Sequence, residues 1–176
     1  MKSNGDFVTE LTRCDGADGT VVSARKCSVP MSTLRTLTSL PRDSLIRVKV
    51  RAFNMKAGGS FGQFSEINTA GASIETEPTN LSVVSIDVSS TTNTATKVTW
   101  TALTGSARGG SAVTIDSYEV FWDQGTGTWV SLSTTTTDLF VNKNGLTGGA
   151  TYSFKVRALN KYGYGDFTSA VSVQTS

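Results

Sequence analysis

Residues 48–54 read VKVRAFN, and nearly the same phrase returns as FKVRALN at 154–160. In both copies apolar and basic residues alternate with a period of two. That is the spacing of an extended strand with one buried face and one wet face. A strand repeated in this way predicts two copies of one folding unit.

The copies stay in step beyond the phrase itself. Leu40 and Leu146 each stand six residues before an apolar residue, Ile46 and Tyr152. Then Val48 matches Phe154, Lys49 Lys155, Val50 Val156, Arg51 Arg157, Ala52 Ala158, Phe53 Leu159 and Asn54 Asn160. Each copy continues into a Gly-rich turn and a Phe64-Ser65 or Phe167-Thr168 pair, with three extra residues in the first turn.

Further strands follow the same rule. SYEVFW (117–122) sets Tyr118, Val120 and Trp122 against Ser117, Glu119 and Phe121, and ATKVTW places Val98 and Trp100 on one face. Turn clusters separate them: TGSARGGS (104–111), DQGTG (123–127), NKNG (142–145) and NKYGYGD (160–166). No segment of twelve residues or more carries a helical period. The chain is expected to be all-β, a sandwich of short strands.

Composition narrows the function. Sixteen basic against 14 acidic residues leave a net charge of +2, too even for a nucleic-acid partner. There is no histidine, which removes the commonest general base and metal ligand together with every Ser-His and Cys-His pair. The expectation is a protein that is not an enzyme, with no cofactor and no metal. Asp15 and Asp18 lack the further carboxylates that calcium needs and read as a turn. No run approaches the ~18 apolar residues of a membrane span, and MKSNGDFVTELTR has no apolar core to act as a secretory signal.

With EPTNLSV opening a first strand, Trp100 in a second, DSYEVFW as a third, Leu146 with Tyr152, and VRALNKYGYGDFTSAV running into the last, residues 78–176 resemble a complete fibronectin type III domain. The resemblance implies an immunoglobulin-like β-sandwich, complete over 77–176 and partial over 1–76. It implies that Trp100 packs at the centre of the core and that Tyr152 forms a tyrosine corner with Leu146. A buried phenol needs its hydroxyl paired, and a nearby backbone group is expected to accept it. Ile46 has no hydroxyl, so the first copy's corner is expected to rest on packing alone.

The first copy is short. GDFV (5–8) aligns with GTWV (127–130), the start of the fourth of seven strands. Four strands are expected in it: DFVTELTR, TVVSARKCSV, SLIRVKVRAFN and FSEINTAGASIET. The third strand, which would lie between two of these, is missing. Such a unit leaves strand edges and a core open. Either the chain is a fragment, or another polypeptide completes the unit by strand complementation.

CDGADGTVVSARKCSVPMSTL (14–34) and NTAGASIETEP (68–78) are similar to segments of fibronectin-type repeats in very large ciliate surface proteins. Cys14 and Cys27 bracket an expected strand–turn–strand that could bring the sulfurs together; the alternative is two reduced thiols. The resemblance implies the disulfide, and with it an oxidising compartment.

Asn80 with Ser82 forms a glycosylation sequon at the start of the first strand of the second copy. TTTT (134–137) reads as an exposed strand or connection, Gly109 and Gly110 as a turn, and ETEP (75–78) as a short linker. Lys155, Arg157 and Leu159 point outward from their strand, matched by Lys49, Arg51 and Phe53, with Phe121 on the neighbouring strand and Trp129 close by. Basic and aromatic side chains on one face offer cation–π contacts to a partner; the alternative is a solvated face whose long stems cover apolar rings.

Three functions follow. The first is a structural or adhesion module of an extracellular or cell-surface assembly, with protein partners such as other β-sandwich domains or copies of the same chain. The second is a module that binds a glycan or protein through Lys155, Arg157, Phe121 and Trp129. The third is a cytoplasmic scaffold of cilia or the cytoskeleton.

Overall fold

The computed structural model describes residues 1–54, 60–65 and 68–176. They form two compact units, Met1–Glu75 and Thr76–Ser176. The three-residue insertion of the first turn falls within 55–59, outside the described residues.

In the second unit, β5 (Val84–Asp87), β6 (Ala95–Trp100) and β9 (Phe140–Asn144) form one antiparallel sheet. The other sheet has β7 (Ser117–Trp122) between β8 (Val130–Thr136) and β10 (Thr151–Asn160). Along β10's far edge lie β11 (Gly163–Tyr164) and β12 (Val171–Gln174), end to end, so seven strand positions are filled. β10 alternates as expected: Tyr152, Phe154, Val156 and Ala158 are buried between the sheets.

Trp100 sits in the core with Leu81, Tyr118, Val120, Val156 and Ala158, its ring 5.5 Å from that of Tyr118. A second cluster joins Val98, Leu146, Tyr152, Phe154 and Val173. The tyrosine corner is present with its polarity reversed from the expectation. Its phenol oxygen accepts from the Thr147 backbone N–H at 2.9 Å, so the backbone is the donor. Tyr152→Phe leaves that half-buried N–H without its partner. A loss of about 1–2 kcal/mol is expected, read from urea unfolding by tryptophan fluorescence.

ETEP is not a free linker, because Thr76 to Pro78 belong to the second unit. Thr76 N–H donates to Gly109 O at 2.7 Å, and Asn160 donates to both Thr76 O and Arg108 O at 2.8 Å. Gly109, at φ +108°, lies so close to Thr76 O and the Asn160 amide that a Cβ would collide with both.

The first unit departs from the expected four strands. DFVTELTR and TVVSARKCSV form none. In their region stand α1 (Gly19–Ala24) and α2 (Met31–Thr38), and the cysteines bracket a helix instead of a hairpin. Asp18, expected in a turn, caps α1, accepting from the Thr20 N–H at 2.8 Å and its hydroxyl at 2.6 Å. Those bonds hold its carboxyl below the usual carboxylate range. α2 sets Met31, Leu34 and Leu37 at three-residue spacing behind Pro30. The physical reason is pairing: a strand without a neighbour leaves its amides bare, while a short capped helix satisfies its own.

The later part of the unit keeps its β character. β1 (Leu45–Val48) pairs antiparallel with β4 (Asn68–Ser73), and β2 (Phe53–Asn54) pairs with β3 (Ser60–Phe61). Ile46 and Ile74 are buried there. Cys14 and Cys27 are bonded, with sulfurs 2.08 Å apart.

Candidate interaction face

Alternation along β10 sends Lys155 and Arg157 to the face away from the core, and register fixes their neighbours. Lys155 lies opposite Phe121 and Arg157 opposite Glu119 on β7. The Arg157 Nε donates to Glu119 Oε2 at 2.6 Å, and this cover leaves Glu119 buried. The Lys155 ammonium stands 4.3 Å from the centre of the Trp129 ring, 4.5 Å from Phe167 and 5.8 Å from Phe121. The Arg157 guanidinium stands 4.3 Å from Phe167 and 4.1 Å from Tyr164. Rings and cations thus alternate as a ladder: Trp129, Lys155, Phe167, Arg157, Tyr164. Each such contact at an exposed site contributes about 0.5–1 kcal/mol.

The first unit builds the same ladder from corresponding positions. Lys49 stands 4.3 Å from both the Phe7 and Phe64 rings, and Arg51 stands 4.7 Å from Phe64 and 3.7 Å from Phe61. Phe7 takes the place of Trp129, Phe64 that of Phe167 and Phe61 that of Tyr164. The backbone beneath is duplicated too. Gly62 N–H donates to Ala52 O and Gly165 N–H to Ala158 O, each at 2.9 Å. Ser65 N–H donates to Val50 O at 2.7 Å and Thr168 N–H to Val156 O at 3.0 Å. The Ser65 and Thr168 hydroxyls accept from the Val50 and Val156 N–H groups, both at 3.1 Å.

Of the six face residues expected from the sequence, Lys49, Arg51, Trp129, Lys155 and Arg157 stand in these ladders, and Phe121 lies beside the second, its ring 5.1 Å from that of Phe167. Phe7, Phe61, Phe64, Glu119, Tyr164 and Phe167 were not foreseen in that role. Tyr164 and Phe167 are three apart, an odd interval that sends side chains to opposite faces of a regular strand. The interruption between β11 and β12, where Thr168 bonds back to Val156, brings both to one face. Asn80 is exposed beside a buried Leu81. Among the described residues no group of three His, Cys, Asp or Glu side chains is placed to hold a metal ion. Among them, too, no helix is long and apolar enough to cross a membrane.

The family model for the fibronectin type III domain matches residues 76–174. Among solved structures the chain is similar to the sixth fibronectin type III domain of human fibronectin type III domain containing protein 3. That match has 21% identity and a TM-score of 0.47, over 57% of this chain and 87% of that one. The chicken CNTN1 FN1–FN3 domains match at 20% identity and TM-score 0.46, over 78% of this chain and 44% of theirs. A titin kinase with its flanking domains matches at 20% and 0.48, over 57% and 18%. No curated protein matches.

Proposed function

The chain belongs to the fibronectin type III family through residues 76–174, and we propose that it is a non-enzymatic structural and adhesion module of an extracellular or cell-surface assembly. Domains of this family serve generally as structural or protein-interaction modules. The observation that carries the reading is the duplicated ladder with its backbone frame, closed by a second sheet in one unit and uncovered among the described residues of the other. The closed unit bears load, and the open one offers a surface for joining to protein. The joining mode we propose is strand complementation of 1–75, read as the partial copy of the same domain. The bonded Cys14 and Cys27 favour an oxidising compartment over the cytoplasmic alternative. Exposed Asn80 would carry a glycan there.

Glycan or ligand binding at the ladder is the weaker reading. Lys155 and Arg157 already lie against the protein's own rings, and Glu119 neutralises Arg157.

Single-molecule stretching of the whole chain tests the load-bearing role. The expected record is one cooperative rupture of the 76–176 unit, releasing roughly 300–350 Å of chain. Smooth extension without a rupture would remove that role.

A further inference from the structure

We propose that an extended strand of another polypeptide docks antiparallel along the free edge of residues 48–53. It would set a carboxylate against Arg51, an aromatic ring near Lys49 and an apolar residue onto Val50. The proposal rests on the complementation reading above and names the chemistry of the complementing strand.

The second unit supplies the template. The shared backbone bonds place 46–54 against 60–65 and 68–73 as β10 is placed against β11 and β12. The opposite edge of β10 is occupied by β7 from Phe154 to Leu159. In the first unit no strand pairs with that edge among the described residues. The Met1 ammonium donates to Arg47 O at 3.2 Å, where the second unit has Asp123 N–H on Ser153 O at the end of β7. Beyond it the backbone groups of Lys49 and Arg51 have no hydrogen-bond partner among the described residues. Unpaired edges of this kind are templates for an added strand.

The apolar side gives the same answer. Val48 is 43% exposed and Val50 69%, while their counterparts Phe154 and Val156 are 0% exposed. Side chains that the second unit encloses are bare in the first.

Charge sets the sequence of the missing piece. Arg157 bonds Glu119, whereas Arg51 faces only the Phe61 and Phe64 rings and has no carboxylate within reach among the described residues. A strand that completes the pattern carries an acidic residue at Arg51, then an apolar residue toward Val50, then an aromatic at Lys49. In the second unit Glu119, Val120 and Phe121 supply this order.

A synthetic peptide of residues 114–124, TIDSYEVFWDQ, is therefore the probe, titrated into the whole chain and followed by calorimetry. One-to-one saturable binding is expected. A Glu119→Lys peptide should bind about tenfold more weakly, as should the unaltered peptide on the Arg51→Glu chain. Combining the two should restore affinity, which places the contact at Arg51 without relying on a fold-disrupting change. Val50→Asp should weaken binding as well. No binding, or binding indifferent to the charge exchange, overturns the proposal. So does self-association of the chain that blocks the peptide, since a second copy would then cover the edge. A failed titration beside a cooperative rupture under load would remove the docking strand and leave the structural role intact.

Discussion

Phe154→Ala is expected to destabilise the 76–176 unit by about 3–5 kcal/mol, a large part of the stability of a domain this size. The ring is wholly buried between the two sheets, in a cluster with Val98, Leu146, Tyr152 and Val173. Its removal takes away transfer energy and leaves a cavity that two hydrogen-bonded sheets cannot close. All three tryptophans, Trp100, Trp122 and Trp129, lie in this unit, so urea unfolding followed by their fluorescence reads it alone. The corresponding change Val48→Ala, followed by circular dichroism, should cost less than about 1 kcal/mol, because that side chain is already partly in water. A small effect at Phe154 would contradict a closed sandwich.

The second large effect concerns the disulfide. Replacing Cys14 and Cys27 by serine is expected to cost the 1–75 unit about 3 kcal/mol, the chain-entropy value for a loop of this length. The unit has little else to set against it. Among the described residues its buried apolar side chains are Ile46 and Ile74. Limited proteolysis should cut the double variant between Cys14 and Cys27 much faster than the parent, while its tryptophan-monitored unfolding stays in place. Equal resistance in both proteins would mean that the crosslink holds nothing together.

How much of this the amino-acid order reveals depends on the range of the interactions involved. β10 was legible because its alternation is local, whereas the packing of Trp100 and the pairing of Leu146 with Tyr152 were implied by the family resemblance. The helices of the first unit were not legible. Gly19–Ala24 and Met31–Thr38 are too short to register as a twelve-residue period, and alignment with the second copy read part of their region as a strand. Part of each ladder was visible and part hidden for the same reason. Lys155 and Arg157 obey the period of two, but Tyr164 and Phe167 share their face only through the interruption between β11 and β12. Asn160 stood out only as a repeated letter, since its work is done on Thr76 and Arg108, distant in sequence.

Two amides bring the account to a point. Val50 N–H and Val156 N–H each bond a hydroxyl, of Ser65 and Thr168, at 3.1 Å. They differ in cover: the Val156 bond lies inside a finished sandwich and the Val50 bond lies in water. Native-state hydrogen exchange on the whole chain should find Val156 opening only with global unfolding of its unit, and Val50 exchanging orders of magnitude faster. Comparable protection at the two sites would contradict the account, because the first unit would then be as closed as the second.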